Sequence, residues 1–309
     1  MLTRQAGHQE GNTVLPGSHG TCGLAVVIVT YNSASVLAGL LDSLRPGLEG
    51  IEYYEVIVVD NASSDGSADL ALAHDIGPKV IRMGRNAGYA AGINAATAVI
   101  KPCMDILILN PDVRLQPGAA RLLSARLAEG SVGVVAPQIL NEDNTVALSL
   151  RREPSIVTAW SEALLGGRTA AKLGIGEIVD SPALYQTGGK IEWATGAILA
   201  ISARARLTAG DWDESFFLYS EEVDYQARVR RSGLSVLYDA SARAIHIGGP
   251  YQDNPYLCAL MTANRIRYYR RTHGYITTEL FRLGVIAGEA LRVALGPGHR
   301  AALRAALTA

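Results

Sequence analysis

The chain has 309 residues, 49% of them hydrophobic and 18% charged, with a formal net charge of −1. That length sets one large domain, or one domain with a smaller appendage; the apolar content argues against global disorder, and the near-zero charge gives no support to nucleic acid as the principal partner. Cys22, Cys103 and Cys258 lie far apart without a CxxC pair, which fits a reducing compartment better than a disulfide scaffold. No apolar run approaches the ~20 residues that span a bilayer, and the first residues hold no hydrophobic signal core. A soluble cytoplasmic protein is expected, with residues 1–22 as a flexible tail.

Leu24 to Thr30 (LAVVIVT) has the length and continuity of a strand buried on both faces. Ser33 or Ser35 caps the next helix, which lines up Val36, Leu37, Leu40, Leu41 and Leu44. A second buried strand, EVIVVD, ends at Asp60, and a helix is expected from near Ser64. A further helix covers Ala90 to Ile100, before a strand from Ile106 to Leu109. Pro117-Gly118 opens another helix, Val132 to Ala136 forms a strand, and Asn141 to Asn144 reads as a hairpin turn. The Gly-, Ala- and Arg-containing stretch from Arg151 to Lys190 reads as a mobile excursion over one end of the sheet. Strand character returns at Ala197 to Ile201, a helix runs from Glu221 to Arg231 and stops at Gly233, and a strand from Leu234 to Tyr238 leads towards His246. The segment after Pro250 is helical. This alternation is an α/β fold with a mainly parallel sheet, and such sheets bind ligands at the carboxyl ends of their strands.

Two common nucleotide motifs are missing. The turn after the first strand, Thr30-Tyr31-Asn32-Ser33, has no glycine, against a dinucleotide fold; Gly84, Gly88 and Gly92 are too widely spaced and misplaced. No GxxxxGK[ST] loop is present. Carboxylates do stand at strand ends. Asp60 is suited to a base or ribose, or equally to a turn cap. Asp112 in Asn110-Pro111-Asp112 suits a hard cation whose shell is completed by phosphates and water, or an ordinary Asn-Pro-Asp turn. Glu221, Glu222 and Asp224 crowd a helix start, where the helix dipole alone favours them; facing a cleft walled by Trp212, Phe216, Phe217 and Tyr219, one of them can take a proton from a hydroxyl. His246, before Gly248-Gly249, reads as a structural histidine or a metal ligand. Arg265, Arg267, Arg270 and Arg271 can meet phosphates, an anionic membrane or plain solvent. Glu279 to Ala309, with Arg282, Arg292, Arg300 and Arg304 among Leu and Ala, reads first as a packing helix; a peripheral membrane contact or an oligomer contact is the alternative.

Together VIVTYNS, VVDNASSDGS, RNAGYAAGIN, LNPDV, WATGA, DESFFLYSEEVDYQAR and HIGG, in this order between Leu24 and Gly249, resemble the family 2 glycosyltransferases of GT-A fold, in particular the bacterial rhamnosyltransferase-like branch. The resemblance implies a Rossmann-like, mainly parallel twisted sheet flanked by helices, with a catalytic domain over 23–250 and a helical carboxyl-terminal appendage over 251–309. It implies inverting transfer from a nucleotide-diphosphate sugar to an acceptor hydroxyl. On matching positions, Thr30, Tyr31, Asn32 and Asp60 contact the nucleotide, and Arg85, Asn86, Gly88 and Asn94 border nucleotide and donor sugar. Asp112 and His246 are the implied ligands of a divalent ion, Mn2+ or Mg2+. Glu222 is the implied base, with Asp224 an alternative base or an orienting residue, and Trp193 and Gly196 lie on the acceptor side.

Two departures stand out. Asn110 replaces the first acid of the family's DxD, as in the rhamnosyltransferase-like branch, and Glu222 replaces the usual base Asp. The branch resemblance favours a dTDP-deoxysugar such as rhamnose, then a UDP-sugar. The acceptor is a glycan, a lipid-linked glycan or a small molecule, with at most peripheral contact to the inner membrane face and a homodimer as an option. A sugar-nucleotide nucleotidyltransferase and a catalytically silent sugar-nucleotide binder are the competing readings.

Overall fold

The computed structural model describes residues 22–248 and 254–309, so the expected tail, apart from Cys22, and the expected boundary at 250 lie outside the described residues. In chain order the elements are β1 (Leu24–Thr30), α1 (Ala34–Gly47), β2 (Tyr54–Asp60), α2 (Ser67–Ala73), β3 (Lys79–Arg82), α3 (Tyr89–Thr97), β4 (Asp105–Leu109), β5 (Val113–Leu115), α4 (Ala119–Leu127) and β6 (Val132–Leu140). After these come β7 (Leu150–Arg151), α5 (Ile156–Leu165), α6 (Gly167–Lys172), α7 (Pro182–Thr187), β8 (Gly189–Lys190), β9 (Trp193–Ala194), β10 (Ile198–Ile201) and α8 (Ala203–Ala209). The chain finishes with α9 (Glu221–Arg231), β11 (Ser235–His246), α10 (Pro255–Thr272), α11 (Tyr275–Leu291) and α12 (Pro297–Thr308).

The main sheet runs β3-β2-β1-β4-β10-β6-β11-β5, with β8 on β11. Strands β1, β2, β3 and β4 pair in parallel, as do β6 and β11, while β10 and β5 run against their neighbours. Alternation along β1 explains the layers: Ala25, Val27 and Val29 face one core with Ala90 and Ile93 of α3, whereas Leu24, Val26 and Ile28 face the other with Leu37, Leu40, Leu41 and Leu44 of α1. A sheet covered on both faces needs continuous apolar strands, which is why β1 and β4 are buried throughout.

Three expectations change. The helix placed near Ser64 starts at Ser67, because Ser63 and Ser64 are held in a turn: the Ser63 amide donates to Asp60 (3.0 Å) and that of Ser64 to Asn32 (2.9 Å). The stretch 151–190 is not an irregular excursion; it holds α5, α6 and α7, and α5 shares a core with α10, α11 and α12 through Ala159, Ile266, Phe281, Val285 and Ala306. The cysteines are not unconnected either. β1 and β4 pair with Leu24 opposite Asp105, so Cys22 and Cys103, two residues before each, also fall opposite, with Cα atoms 5.6 Å apart and a disulfide between them. A register 81 residues apart is invisible to residue spacing. Among the described residues, no helix is long and apolar enough to cross a membrane.

Candidate active site

The parallel strands deliver Thr30, Asp60 and Asn110 with Asp112 to one end of the sheet, and β11 brings His246 there, since it pairs with Val113. Asp112 Oδ1 lies 3.2 Å from His246 Nε2. Burial pushes the Asp112 carboxyl up, but the His246 contact and backbone donors, including Gly248, outweigh it and hold the group below the ordinary carboxylate range. Among the described residues the Asn110 side chain has no hydrogen-bond partner, while its amide donates to Ala197 (2.9 Å). Among the described residues no three His, Cys, Asp or Glu side chains converge as a complete cation site. A carboxylate oxygen and an imidazole nitrogen side by side do fit part of a shell that phosphate oxygens and water would complete.

The other acids of the site stand at the start of α9. Glu222 packs against Gly196: a methyl on that glycine would lie 3.4 Å from the Glu222 Cβ and 3.9 Å from its carboxyl carbon. One oxygen each of Glu221 and Glu222 is buried without a hydrogen-bond partner. Burial raises the Glu222 carboxyl above its ordinary range, against the pull of backbone donors and of Arg151; burial, with Glu222 beside it, pushes Glu221 well above. Asp224 differs. It is buried but paired with Arg228 at 2.8 Å, one turn along the helix.

The turn that presents these acids is strained. Phe217, Tyr219 and Ser220 all take left-handed backbone, with φ of 64°, 69° and 75°, a conformation that costs each residue on the order of 1 kcal/mol and clusters at functional sites. Its carbonyls are held from outside. Asn264 of α10 donates to Phe216 (2.6 Å), Leu218 (2.9 Å) and Tyr219 (3.3 Å), and the Tyr89 amide donates to Phe217 (2.7 Å). Gly88 permits that approach: a Cβ there would sit 2.3 Å from the Phe217 oxygen. The Tyr89 hydroxyl donates to the Gly196 carbonyl (3.2 Å), and its acidity is suppressed by burial and by the charges of Glu221, Glu222 and Asp112. Tyr89 therefore lies within reach of the charges of both the acid pair and Asp112. Neither Tyr89 nor Asn264 is picked out by sequence reasoning; Tyr89 lies inside RNAGYAAGIN, but Asn264 carries no signal in its own segment.

The remaining expected residues divide. Thr30 donates to Asp60 (3.1 Å), and both are buried; Asn32 braces the adjoining turn through Ser63 and Ser64. Tyr31 is 52% exposed, and Arg85 and Asn86 are exposed at the same end. Asn94 is taken up inside the protein, donating to Trp212 and Glu214 and accepting from the Trp212 amide, so it shapes the site rather than facing a donor. Trp193 is buried against Phe216, Val223, Ala227 and Tyr268, its indole donating to Arg152 (2.8 Å); it is floor, not an open acceptor surface. Trp212 and Phe216 are core as well, leaving Phe217 and Tyr219 partly exposed. The arginines of α10 are engaged by the protein itself: the part-buried Arg265 by Glu162 and Glu177, and the exposed Arg267 by Ser215, Arg270 by Ala309 and Arg271 by Asp213.

The model of the family described as Glycosyl transferase family 2 matches residues 25–182. The chain is 29% identical, over 72% of its length and 75% of the relative's, to N-acetylglucosaminyl-diphospho-decaprenol L-rhamnosyltransferase of Mycobacterium tuberculosis H37Rv. It is 23% identical, over 72% of its length and 82% of the relative's, to rhamnosyltransferase WbbL of Escherichia coli K12. Among solved structures it resembles the mannosyltransferase PcManGT of Pyrobaculum calidifontis, in complex with GDP-Man and Mn2+, at a TM-score of 0.58 and 15% identity, covering 93% of this chain and 86% of that one. Residues 1–349 of S. aureus TarS with UDP give a TM-score of 0.52 at 14% identity, covering 93% and 90%. These two likenesses bear on the fold.

Proposed function

The chain belongs to glycosyltransferase family 2, is a glycosyltransferase, and from that premise we propose that it moves a deoxysugar, rhamnose from a dTDP donor, to an acceptor hydroxyl with inversion. The observation that carries the chemistry is the unpartnered Glu222 oxygen on a side chain packed against Gly196, whose carbonyl accepts from Tyr89, a hydroxyl that feels the charges of both Glu222 and Asp112. Glu222 takes the proton of the acceptor hydroxyl as that oxygen attacks the anomeric carbon; the carbon–oxygen bond to the nucleoside diphosphate breaks, and the diphosphate leaves on the far side. Burial, by raising the Glu222 carboxyl, makes it a better proton acceptor when ionised. Asp224, held by Arg228, anchors the helix. Asp112 and His246, with Asn110 nearby, would hold a divalent ion, Mn2+ or Mg2+, which when bound offsets charge developing on the diphosphate. Asp60, Thr30 and Tyr31 line the nucleotide end, with Arg85 and Asn86 free to meet phosphate or sugar.

The rhamnosyltransferase relatives support rhamnose as the sugar, and the decaprenyl-linked acceptor named for one of them supports a lipid-linked glycan acceptor. We place the reaction in the cytoplasm, where the Cys22–Cys103 pair would be held largely as dithiols. The testing experiment is thermal stabilisation, then transfer, across nucleoside diphosphates and nucleotide sugars with Mn2+, Mg2+ or chelator. A ligand that binds only the folded state adds about 2.7 kcal/mol at a hundred times its dissociation constant. A metal-dependent shift with dTDP-rhamnose followed by transfer supports the proposal. Pyrophosphate release from a nucleoside triphosphate and a sugar phosphate would instead mark a nucleotidyltransferase, and a shift without turnover a silent binder.

A further inference from the structure

The side of the carboxyl-terminal module that faces away from its own core is apolar. On α5, Val157 and Leu164 are 62% and 67% exposed; on α11, Ile276, Leu280 and Leu283 are 75%, 43% and 50% exposed. These residues recur at helical spacing, opposite the buried Thr278, Phe281, Val285 and Gly288. The two rows belong to one surface. Trp160 of α5 donates its indole N–H to the Leu280 carbonyl (3.0 Å), and a methyl on Gly284 would lie 3.1 Å from the Trp160 ring.

Charge says what such a face meets. Residues 163–176, covering the end of α5 and all of α6, contain Arg168 and Lys172 and no acid; residues 290–309 contain Arg292, Arg300 and Arg304 and no acid. Arg168, Lys172, Arg300 and Arg304 are exposed, and their side chains make no ion pair or hydrogen bond among the described residues. Of the nearby acids, Glu162 and Glu177 share the cation of Arg265, and Glu279 pairs with Arg282. Apolar side chains flanked by unpaired cations are the composition that lies in the interface of an anionic bilayer.

We infer that the α5–α11 face, with Arg168 and Lys172 at its edge, docks this enzyme peripherally on an anionic lipid surface. Docking there bears on catalysis, because α10 of the same module holds the carbonyls of the turn before Glu221 through Asn264. The inference needs no particular donor, and its readout is separate from turnover.

The test is sedimentation of the full chain with phosphatidylcholine vesicles, with and without phosphatidylglycerol, at low and high salt. Two variants accompany it, Leu164→Glu/Leu283→Glu and Arg168→Glu/Lys172→Glu, all at exposed positions. The inference predicts binding that requires phosphatidylglycerol and weakens with salt; reversing two cations lowers partitioning at least about tenfold, because each is worth about 1 kcal/mol at such a surface. Circular dichroism and melting of both variants should match the parent. Absence of vesicle binding by the parent, or binding unchanged in both folded variants, overturns it. So does a parent dimer that the leucine variant dissociates while vesicle binding stays intact, since the face would then belong to a second copy.

Discussion

Gly196 and Glu222 pack against each other closely enough that a single methyl on the glycine would already reach van der Waals contact with the acid; 3.4 Å separates the position of a Cβ on one from the Cβ of the other. The Glu222 carboxyl is thereby fixed beside the carbonyl to which Tyr89 donates. A branched side chain at Gly196 would displace it. Gly196→Val is expected to lower turnover by about a hundredfold, the usual result of an ångström-scale misplacement, while nucleotide binding persists. Equal losses in nucleotide binding and turnover would count against this.

The same burial gives a pH prediction. As the proposed base, Glu222 can act only when ionised, and burial raises its carboxyl above the ordinary range. Turnover should therefore fall as the pH drops through a value above that of a solvent-exposed glutamate, and the falling limb should vanish from the residual rate of Glu222→Gln. A rate profile flat down to the exposed-carboxylate range would contradict the assignment.

Asn264 braces the turn before Glu221 from a different element. Asn264→Ala removes the side-chain donor shared by the carbonyls of Phe216, Leu218 and Tyr219, at a cost of about 1–3 kcal/mol. Lower melting and lower kcat with a nearly unchanged donor KM are expected. A raised donor KM at unchanged kcat would mean that α10 serves the donor rather than the turn.

Asp105 supplies a stability test away from catalysis. It is 3% exposed, accepts from the Ala203 amide at 2.8 Å, and burial raises its carboxyl to about 6. Because the folded state holds this proton more tightly than the unfolded chain, the penalty is absent below about pH 4 and is fully present above about pH 6. Asp105→Asn keeps an acceptor and removes the charge. It should stabilise by about 1–3 kcal/mol at pH 7.5, with the gain shrinking as pH falls to 4. Thermal melts across that range decide it; destabilisation at every pH would show that the charge itself is needed.

Cys22 and Cys103 tie the start of β1 to the start of β4. In the oxidised protein, reductant or Cys103→Ser should lower stability by about 2–4 kcal/mol. Equal melting temperatures with and without reductant, alongside two free thiols at these positions, would show that the bond does not form.

Much of the fold was legible because local and global signals agree. The runs LAVVIVT and DILIL could only be strands buried on both faces, and the 221–231 helix was bounded by its acids and by Gly233. What escaped depends on distant partners. β3 is short and half-exposed, so its burial pattern is weak. The helices of 151–190 owe their place to α10 and α11, more than a hundred residues on, as the Arg265–Glu162 pair shows. In the site, Asp112 and Glu222 were visible as acids at element ends. That Asn94 and Trp193 turn inward, and that Asn264 reaches the catalytic turn, follows only from tertiary contacts.

The most direct measurement is single-turnover sugar transfer by Glu222→Gln and Asp224→Asn beside the parent, with nucleotide binding measured on each. The account predicts that Glu222→Gln loses about 10²–10⁴-fold in transfer while binding nucleotide normally. Asp224→Asn, whose parent side chain is already committed to Arg228, should lose mainly stability. Near-parental transfer by Glu222→Gln, with the large loss falling on a folded Asp224→Asn, would contradict it and move the base to Asp224.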